Sequence, residues 1–380
     1  MAGVTYKCPN CGSYIAFNPD NQKWKCDSCG SVYEEKTLLA KAEEYQREAD
    51  AENAQMNREQ DAHNHAGQDH AQFADAAQQQ ADESACEVEN GAQVVYHCPS
   101  CGSEIMTDET TVATHCYYCH NPVVLAGKLT PDMRPEQVLP FTIGKEKAID
   151  QFMRWVSKKI FVPKGFFARD QVKQMEGVYY PHFVTRCVVD GRYEGEGLRT
   201  TVADSGQWII TTTEHYAVTR RADITFSNVM RPALKSTDRK LSDGIHPFPL
   251  EAVKPFSGAY LSGFLAERRD LTAEEATADV ESELSGYVTP LLTQTLHYTS
   301  YSGSSSAQMM DKQCRYVMLP TWVLTYQKGG EKEPYYYVMN GSTGEVCGKL
   351  PINRGKLRLY ALGLSALLFA GYCAAAYFLF

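Results

Sequence analysis

The sequence predicts a multi-domain chain: two small β modules, an acidic linker, an α+β body with an antiparallel sheet, and a C-terminal apolar helix. Three observations support this organisation. Pairs of cysteines recur at one fixed spacing, a single segment holds the excess of negative charge, and the final 22 residues contain no charged side chain. The chain of 380 residues exceeds one typical domain, and its 43% of hydrophobic residues suffices for a sizeable core.

The first β module, residues 1–34, is predicted from two cysteine pairs. Cys8 and Cys11 form one pair and Cys26 and Cys29 the other, with 14 residues between the pairs and a glycine after each. Two cysteines at this spacing can turn their sulfurs toward one ion, and the glycine permits the tight turn that follows. A short β-hairpin between the pairs would complete a tetrahedral four-thiolate site, which is typical of a zinc ribbon. We call this module ribbon 1.

The second β module repeats the first without a gap when the sequence is shifted by 90 residues. Its cysteine pairs are Cys98 with Cys101 and Cys116 with Cys119, again with 14 residues between the pairs. The repeat predicts a second zinc ribbon over residues 94–127, which we call ribbon 2. A module of about 30 residues is too small to fold on its own core, so we expect the metal to supply its stability.

Both predicted sites are structural Zn²⁺ sites, because four thiolates leave no open coordination position. Iron in a rubredoxin-like site and dithiol redox chemistry are the alternatives. No cofactor besides the two zinc ions is expected. The other histidines and cysteines near and beyond the sites are expected to be surface side chains or free or buried thiols: His63, His65, His70, His115, His120, Cys86, Cys187, Cys314, Cys347 and Cys373.

The linker, residues 35–93, carries the negative charge. Residues 35–92 contain 14 acidic and 4 basic side chains, so the net charge of −9 belongs to this segment and the remainder is near neutral. Alanine, glutamine and glutamate favour helix, but the segment has too few large apolar residues to fold alone. We expect a helical or disordered tether that begins with a short amphipathic helix over residues 38–45. A coiled-coil surface is the alternative.

The body, residues 139–350, has the sequence pattern of an α+β domain. Apolar periodicity predicts a helix over residues 145–160, and β-rich sequence predicts a strand over 178–189 that ends in a turn at 190–191. Thr272 and the glutamate three residues later form the capping-box signature of a further helix. The phosphate-binding, dinucleotide-binding, nucleophile-elbow and zinc-protease motifs are all missing. We therefore predict no catalytic residues and no enzymatic activity.

The C-terminal segment, residues 359–380, is long enough to cross about 30 Å of hydrocarbon as a helix. Lys349, Arg354, Lys356 and Arg358 precede it, and the positive-inside rule places this flank in the cytoplasm. We expect a single-pass protein of the cell membrane with the bulk of the chain cytoplasmic. The N-terminus has no apolar stretch of a secretory signal, and reducing conditions favour metal ligation by clustered cysteines over disulfides.

Five segments in fixed order carry a resemblance to known proteins. They are 8–12, 177–181 (Gly-Val-Tyr-Tyr-Pro), 260–267 (Tyr-Leu-Ser-Gly-Phe-Leu-Ala-Glu), 319–322 (Leu-Pro-Thr-Trp) and 340–344 (Asn-Gly-Ser-Thr-Gly). Together they resemble one family, the bacterial membrane-anchored TFIIB-type zinc-ribbon-containing proteins. Some members are named after the primosomal replication-restart helicase, although this chain lacks the phosphate-binding loop that such a motor needs. The resemblance implies a partner of PspA-like or SPFH (flotillin-like) envelope-stress proteins at the membrane.

Two functions from different classes fit these features. The first is a non-enzymatic, membrane-anchored zinc-ribbon adaptor or scaffold that recruits or organises partner proteins at the cytoplasmic membrane face. The alternative is nucleic-acid binding, as in transcription and replication proteins. The ribbons disfavour this alternative, because residues 6–33 carry a net charge of +1 and residues 96–123 a net charge of −3. Such surfaces repel phosphates more than they collect them.

Overall fold

The structure is a computed structural model. The residues that it describes are 6–38, 40, 44, 47, 51, 93–98, 101, 103–116, 119–125, 129, 131–163, 172–326 and 335–379. Its strands, in chain order, are β1 (Ala16–Asn18), β2 (Lys23–Lys25), β3 (Val32–Tyr33), β4 (Gln93–His97), β5 (Glu104–Asp108), β6 (Thr111–His115), β7 (Pro122–Val124), β8 (Gln137–Val138), β9 (Glu176–Asp204), β10 (Ile209–Pro232), β11 (Lys254–Pro255), β12 (Leu265–Glu267), β13 (Ser300–Tyr326), β14 (Tyr335–Asn340) and β15 (Val346–Gly348). The helices are α1 (Lys145–Ser157), α2 (Arg239–Asp243), α3 (Ala273–Thr293) and α4 (Arg354–Leu379).

Three long antiparallel strands, β9, β10 and β13, form the centre of a ten-stranded sheet. β9 lies in the middle, with Ile209 of β10 opposite Asp204 and Ser300 of β13 opposite Leu198. At about 3.3 Å per residue, the 29 residues of β9 span roughly 95 Å. The first half of β9 is mostly buried, whereas the outer part of the three strands is mostly exposed. We call this outer part, residues 196–215 with 300–308, the arm.

The prediction of a turn at Asp190 and Gly191 is wrong, because β9 continues through both residues. The Asp190 carboxylate accepts hydrogen bonds from Arg192 at 3.0 Å and from Arg221 at 3.2 Å, which pair its charge within the sheet. A Cβ added to Gly191 would lie 2.8 Å from Cγ1 of Val288. The glycine therefore permits close packing of a helix on the strand, and it does not mark a turn.

That helix is α3, which covers one face of the long strands. Its start confirms the capping box: the Thr272 amide donates to the Glu275 carboxylate at 2.8 Å, and the Glu275 amide donates to the Thr272 hydroxyl at 3.2 Å. The buried residues recur every four positions, which is the spacing of one helix face. They pack on a second apolar cluster that includes Cys187, Val189, Tyr193, Val218 and Met309.

The main core lies at the other end of the long strands. α1 ends at Ser157, three residues before the predicted end, and its Phe152 packs edge-on against Tyr337 with ring centroids 4.4 Å apart. Phe141 stacks on Phe264 at 4.3 Å in the same core. The indole of Trp322 donates to the Ile143 carbonyl at 2.9 Å, which joins the sheet to the segment before α1.

The second ribbon is continuous with this sheet. β6 pairs antiparallel with β7 and with β12, and β12 pairs parallel with β9. β4 and β5 form a separate two-stranded sheet, and β1, β2 and β3 form a three-stranded one. The antiparallel-rich body predicted from the sequence is thus present, with part of a cysteine module built into its edge.

α4 is the candidate membrane helix. A segment of 22 residues within it, Arg354–Ala375, which includes the basic flank, is a candidate membrane span by length and composition and is not buried in the structure. The ring of Tyr360 packs edge-on against the ring of Phe161, with centroids 5.6 Å apart. The Lys356 ammonium donates a hydrogen bond to the Ile160 carbonyl at 2.7 Å. These contacts join the start of α4 to the turn that follows α1.

Most of the predicted linker lies outside the described residues, and so does the coiled-coil alternative. The described start, residues 35–38, is helical. Leu38 is fully buried in the main core cluster, so the helix that begins here is attached to the body. His63, His65, His70 and Cys86 also lie outside the described residues.

Candidate metal centres

The four cysteines of ribbon 1 lie together, with every sulfur within 4.8 Å of the others. The Sγ atoms of Cys8 and Cys29 are 3.6 Å apart, and those of Cys11 and Cys26 are 3.5 Å apart. A tetrahedral ion with metal–sulfur bonds of about 2.3 Å separates its ligands by about 3.8 Å. The thiol spacing therefore fits one four-coordinate metal ion.

Ribbon 2 repeats this geometry. The Sγ atoms of Cys98 and Cys119 are 3.7 Å apart, as are those of Cys101 and Cys116, and all four sulfurs lie within 4.8 Å of one another. Both sets of predicted ligands are thus brought together as two possible metal sites. A site with four protein thiols and no vacancy can hold a structure together but offers no position for a substrate.

The backbone turns after the cysteines explain the sequence pattern. The Gly12 amide donates to the Cys8 carbonyl at 2.8 Å, and the glycine has a φ of +72°. His120 makes the same bond to Cys116 at 2.9 Å with a φ of +57°. His120 therefore occupies the left-handed position that glycine holds in ribbon 1, and its side chain is exposed outside the thiol cluster, as expected.

The thiols of one site differ in how readily they ionise. The hydroxyl of Ser31, 3.1 Å from the sulfur, lowers the pKa of Cys29 to about 6, and Ser103 does the same for Cys101. Burial raises the pKa of Cys26 to about 11. Loading a metal must therefore remove protons from buried thiols, so metal affinity should fall as the pH is lowered.

Ribbon 1 is docked on the body through aromatic side chains. Trp24 is fully buried, and its indole donates to the Ala259 carbonyl at 2.9 Å. The rings of Phe17, Trp24 and Tyr260 lie 5.0 to 5.3 Å from one another. These residues belong to the main core cluster, so ribbon 1 shares its apolar core with the body.

The body segment that receives ribbon 1 has small residues where the ribbon approaches. A Cβ on Gly258 would lie 2.5 Å from the Tyr6 hydroxyl, and one on Gly263 would lie 3.0 Å from the Cβ of Ala16. The Ser262 hydroxyl donates to the Ile15 carbonyl at 2.5 Å. Side chains at these two glycines would push the ribbon away.

The same segment also holds ribbon 2. Ala266 of β12 pairs with Ala113 of β6, and the Arg268 guanidinium contacts the Glu109 carboxylate at 2.7 Å. We call residues 257–268 the docking segment. It contains the motif Tyr-Leu-Ser-Gly-Phe-Leu-Ala-Glu at 260–267, which the resemblance singled out without indicating a role. Both metal sites are therefore tied to one stretch of the body.

The other candidate residues that the structure describes lie outside both thiol clusters. His115 is half-buried, not a surface residue, and burial with the nearby Lys145 lowers its pKa. With Lys145 and Glu176 it lines a cavity of about 290 Å³ between the ribbons and the body. The described cysteines outside the sites are free thiols: Cys187, Cys314, Cys347 and Cys373.

Comparison with known proteins finds a similar bacterial protein. The chain is 29% identical over 369 residues to the uncharacterized protein YdjG of Bacillus subtilis (strain 168), which covers 95% of this chain and 94% of that protein. No family model matches the chain, and no solved structure matches it. The similarity therefore spans nearly the whole of both chains.

Proposed function

We propose that this protein is a membrane-anchored adaptor, stabilised by two structural zinc ions, that binds partner proteins at the cytoplasmic face of the membrane. The observation that carries the proposal is the docking of both ribbons on residues 257–268. Closed four-thiol sites placed against the core of a body fix its shape and leave no coordination position for chemistry. A rigid body with an extended exposed arm is suited to presenting a binding surface.

Zinc is the metal we propose for both sites, with iron as the alternative. Four thiolates in tetrahedral geometry suit either ion, and zinc is redox-inactive, as a purely structural role requires. Metal analysis of the protein purified from native membranes would test this. Two zinc ions per chain are expected, and an iron-loaded protein with the absorption of ferric thiolates would contradict it.

The tip of the arm is the partner surface we propose. Val202, Trp208, Ile209 and Ile210 are 55–74% exposed where β9 turns into β10. Clustered exposed apolar side chains are typical of interaction sites, and tryptophan is enriched among the residues that dominate binding energy. The resemblance suggests a PspA-like or SPFH-like protein as the partner.

α4 and its basic flank support the membrane topology that we propose. The basic residues Lys349, Arg354, Lys356 and Arg358 support a cytoplasmic body with α4 as the anchor. Removal of the chain from Leu359 onward is expected to move the protein from the membrane fraction to the soluble fraction. Membrane association that survives this truncation would contradict the proposed anchor.

Nucleic-acid binding by the ribbons is not favoured. Trp24 and Phe17, which an exposed ribbon could offer for stacking on bases, are buried between ribbon 1 and the docking segment. Ribbon 2 also carries the net negative charge noted above. Salt-dependent binding of DNA or RNA by the full chain would contradict this assessment.

Affinity purification from solubilised native membranes tests the adaptor proposal. The wild type is compared with a double variant, Trp208→Ser with Ile209→Ser, and with a control, Tyr287→Ser, which changes an exposed aromatic residue on α3. We expect a PspA-like or SPFH-like protein with the wild type and the control but not with the double variant. Recovery of the same partners by the double variant would exclude the arm tip, and the absence of partners from all three would contradict the adaptor function.

A further inference from the structure

A pocket of about 360 Å³ lies between β9, β13, β14 and the loop that contains α2. Its size falls within the range of small-molecule sites. Among the described residues that line it, none is Lys or Arg, and Asp238 is the one acidic group. Residues with hydroxyl groups make up most of the polar lining: Tyr180, Ser236, Thr237, Ser242, Thr321, Thr325 and Tyr336.

A serine and a histidine meet in this pocket. The Ser242 hydroxyl lies 3.0 Å from Nε2 of His182, which is the hydrogen-bond distance of a nucleophile and its base. Nδ1 of His182 lies 3.2 Å from the carbonyl of Tyr180. A carbonyl can only accept a hydrogen bond, so Nδ1 carries the proton of the neutral ring and Nε2 is left as the acceptor. The Ser242 hydroxyl must then donate to Nε2.

The surroundings keep the ring in this neutral form. Both residues are buried, with His182 3% and Ser242 7% exposed. Burial lowers the pKa of His182 to about 4, so the imidazole is unprotonated at neutral pH. His182 lies on β9, and Ser242 lies on α2, whose first turn is held by the Asp238 carboxylate accepting from the Lys240 amide at 2.9 Å. Two ordered elements thus fix the pair.

We propose that Ser242 is a nucleophile with His182 as its base, and that the pocket accepts a small uncharged carboxylic ester. The absence of a cationic group among the described lining residues disfavours carboxylates and phosphates. The side chains of Leu241, Ile245, Val323 and Val338 provide an apolar wall for a short acyl chain. This activity goes beyond the adaptor function and would replace the expectation that the chain has no enzymatic activity.

The reaction consumes one ester and one water molecule. Ser242 Oγ forms a bond to the carbonyl carbon while its proton passes to Nε2 of His182. The bond from that carbon to the alcohol oxygen then breaks, and the alcohol leaves with the proton from Nε2. Water attacks the acyl-serine with the same base, releases the carboxylic acid and restores the Ser242 hydroxyl.

The carbonyl group that orients His182 predicts that the reaction is slow. A neutral carbonyl holds Nδ1 here, whereas a carboxylate in the usual triad also stabilises the imidazolium that forms during the reaction. A base with its pKa near 4 is also a weak proton acceptor at neutral pH. Covalent labelling is therefore a more sensitive test than turnover.

The full chain in detergent is incubated with a fluorophosphonate and its intact mass is measured. Ser242 Oγ should form a bond to phosphorus with loss of fluoride, and peptide mapping should locate a single adduct on Ser242. Ser242→Ala should abolish the adduct, and His182→Gln should slow its formation by about a hundredfold or more. Ser285→Ala, which removes the hydroxyl of an exposed serine on α3 outside the pocket, should label like the wild type.

Mapping on the wild type keeps the test independent of whether a variant folds. The proposal is overturned if the wild type gains no adduct, or if the adduct lies on another residue. Labelling of His182→Gln at the wild-type rate would also overturn it, because Ser242 would then react without its base. Hydrolysis of p-nitrophenyl acetate by the wild type and not by Ser242→Ala would support it.

Discussion

The shared core of ribbon 1 and the body makes Trp24 the most informative position for a stability measurement. Trp24→Ala removes a fully buried indole and leaves the Ala259 carbonyl without its donor. Truncation of a buried tryptophan costs about 3–5 kcal/mol, and a buried acceptor left unpaired adds about 1–3 kcal/mol. We therefore expect the free energy of unfolding to fall by at least about 4 kcal/mol.

The same perturbation should lower the melting temperature of the body, not only that of the ribbon. For a domain of about 200 residues, 1 kcal/mol corresponds to roughly 2–4 °C, so a decrease of about 8–16 °C is expected in the metal-loaded protein. Val32→Ala is the matched control, because Val32 lies in the same ribbon and is 48% exposed. It should change the melting temperature little.

Far-UV circular dichroism reports the body, and release of metal to a chromogenic chelator reports the ribbon. Both transitions should shift together in Trp24→Ala. If metal is released early while the body melts at the wild-type temperature, then ribbon 1 is an independent module and the shared core has no energetic consequence.

Three further predictions follow from individual side chains. Cys11→Ser should reduce the bound metal from two ions to one per chain, measured by elemental analysis, whereas Cys314→Ser should retain both. In the folded chain His182 becomes protonated only below about pH 4, whereas in the unfolded chain it becomes protonated near pH 6.5. Lowering the pH from about 6.5 to about 4 should therefore reduce the free energy of unfolding by up to about 3 kcal/mol. His182→Gln should flatten that part of the denaturation profile, and an unchanged profile would contradict the assignment. Gly191→Ala should lower the free energy of unfolding by about 1–3 kcal/mol, because the added methyl group collides with α3. Gly286→Ala should raise the free energy of unfolding by about 0.5–1 kcal/mol, because Gly286 lies within a helix and has open space around it. Equal effects of the two substitutions in chemical denaturation would refute the packing explanation.

The eight cysteines could be assigned from the sequence because metal ligation imposes a local spacing. Two residues lie between the cysteines of each pair, and the turn after the pair needs a left-handed residue, so the signal is complete within a few positions. His120 shows that the turn accepts a non-glycine residue, which the pattern alone did not indicate. The helix over α3 was predictable for the same reason, since its capping box is contained within four residues.

The docking of the ribbons was not predictable from one sequence. Trp24 and Ala259 are separated by 235 residues, and nothing near Trp24 distinguishes a tryptophan buried by a distant segment from an exposed one. The turn predicted at Asp190 and Gly191 was incorrect for a related reason. Arg221, which pairs with Asp190, and the helix α3, which packs on Gly191, both lie later in the chain. The pair of Ser242 and His182 is likewise formed by tertiary structure across 60 residues.

The late position of the docking segment has a consequence for synthesis. Ribbon 1 has all of its thiols once Cys29 has been made, but the residues that cover Trp24 are translated 235 positions later. At about 5–20 residues per second, the nascent chain displays this aromatic surface for roughly 10 to 50 seconds. During that interval the ribbon lacks the segment that buries its indole, because that segment emerges only with the second half of the protein.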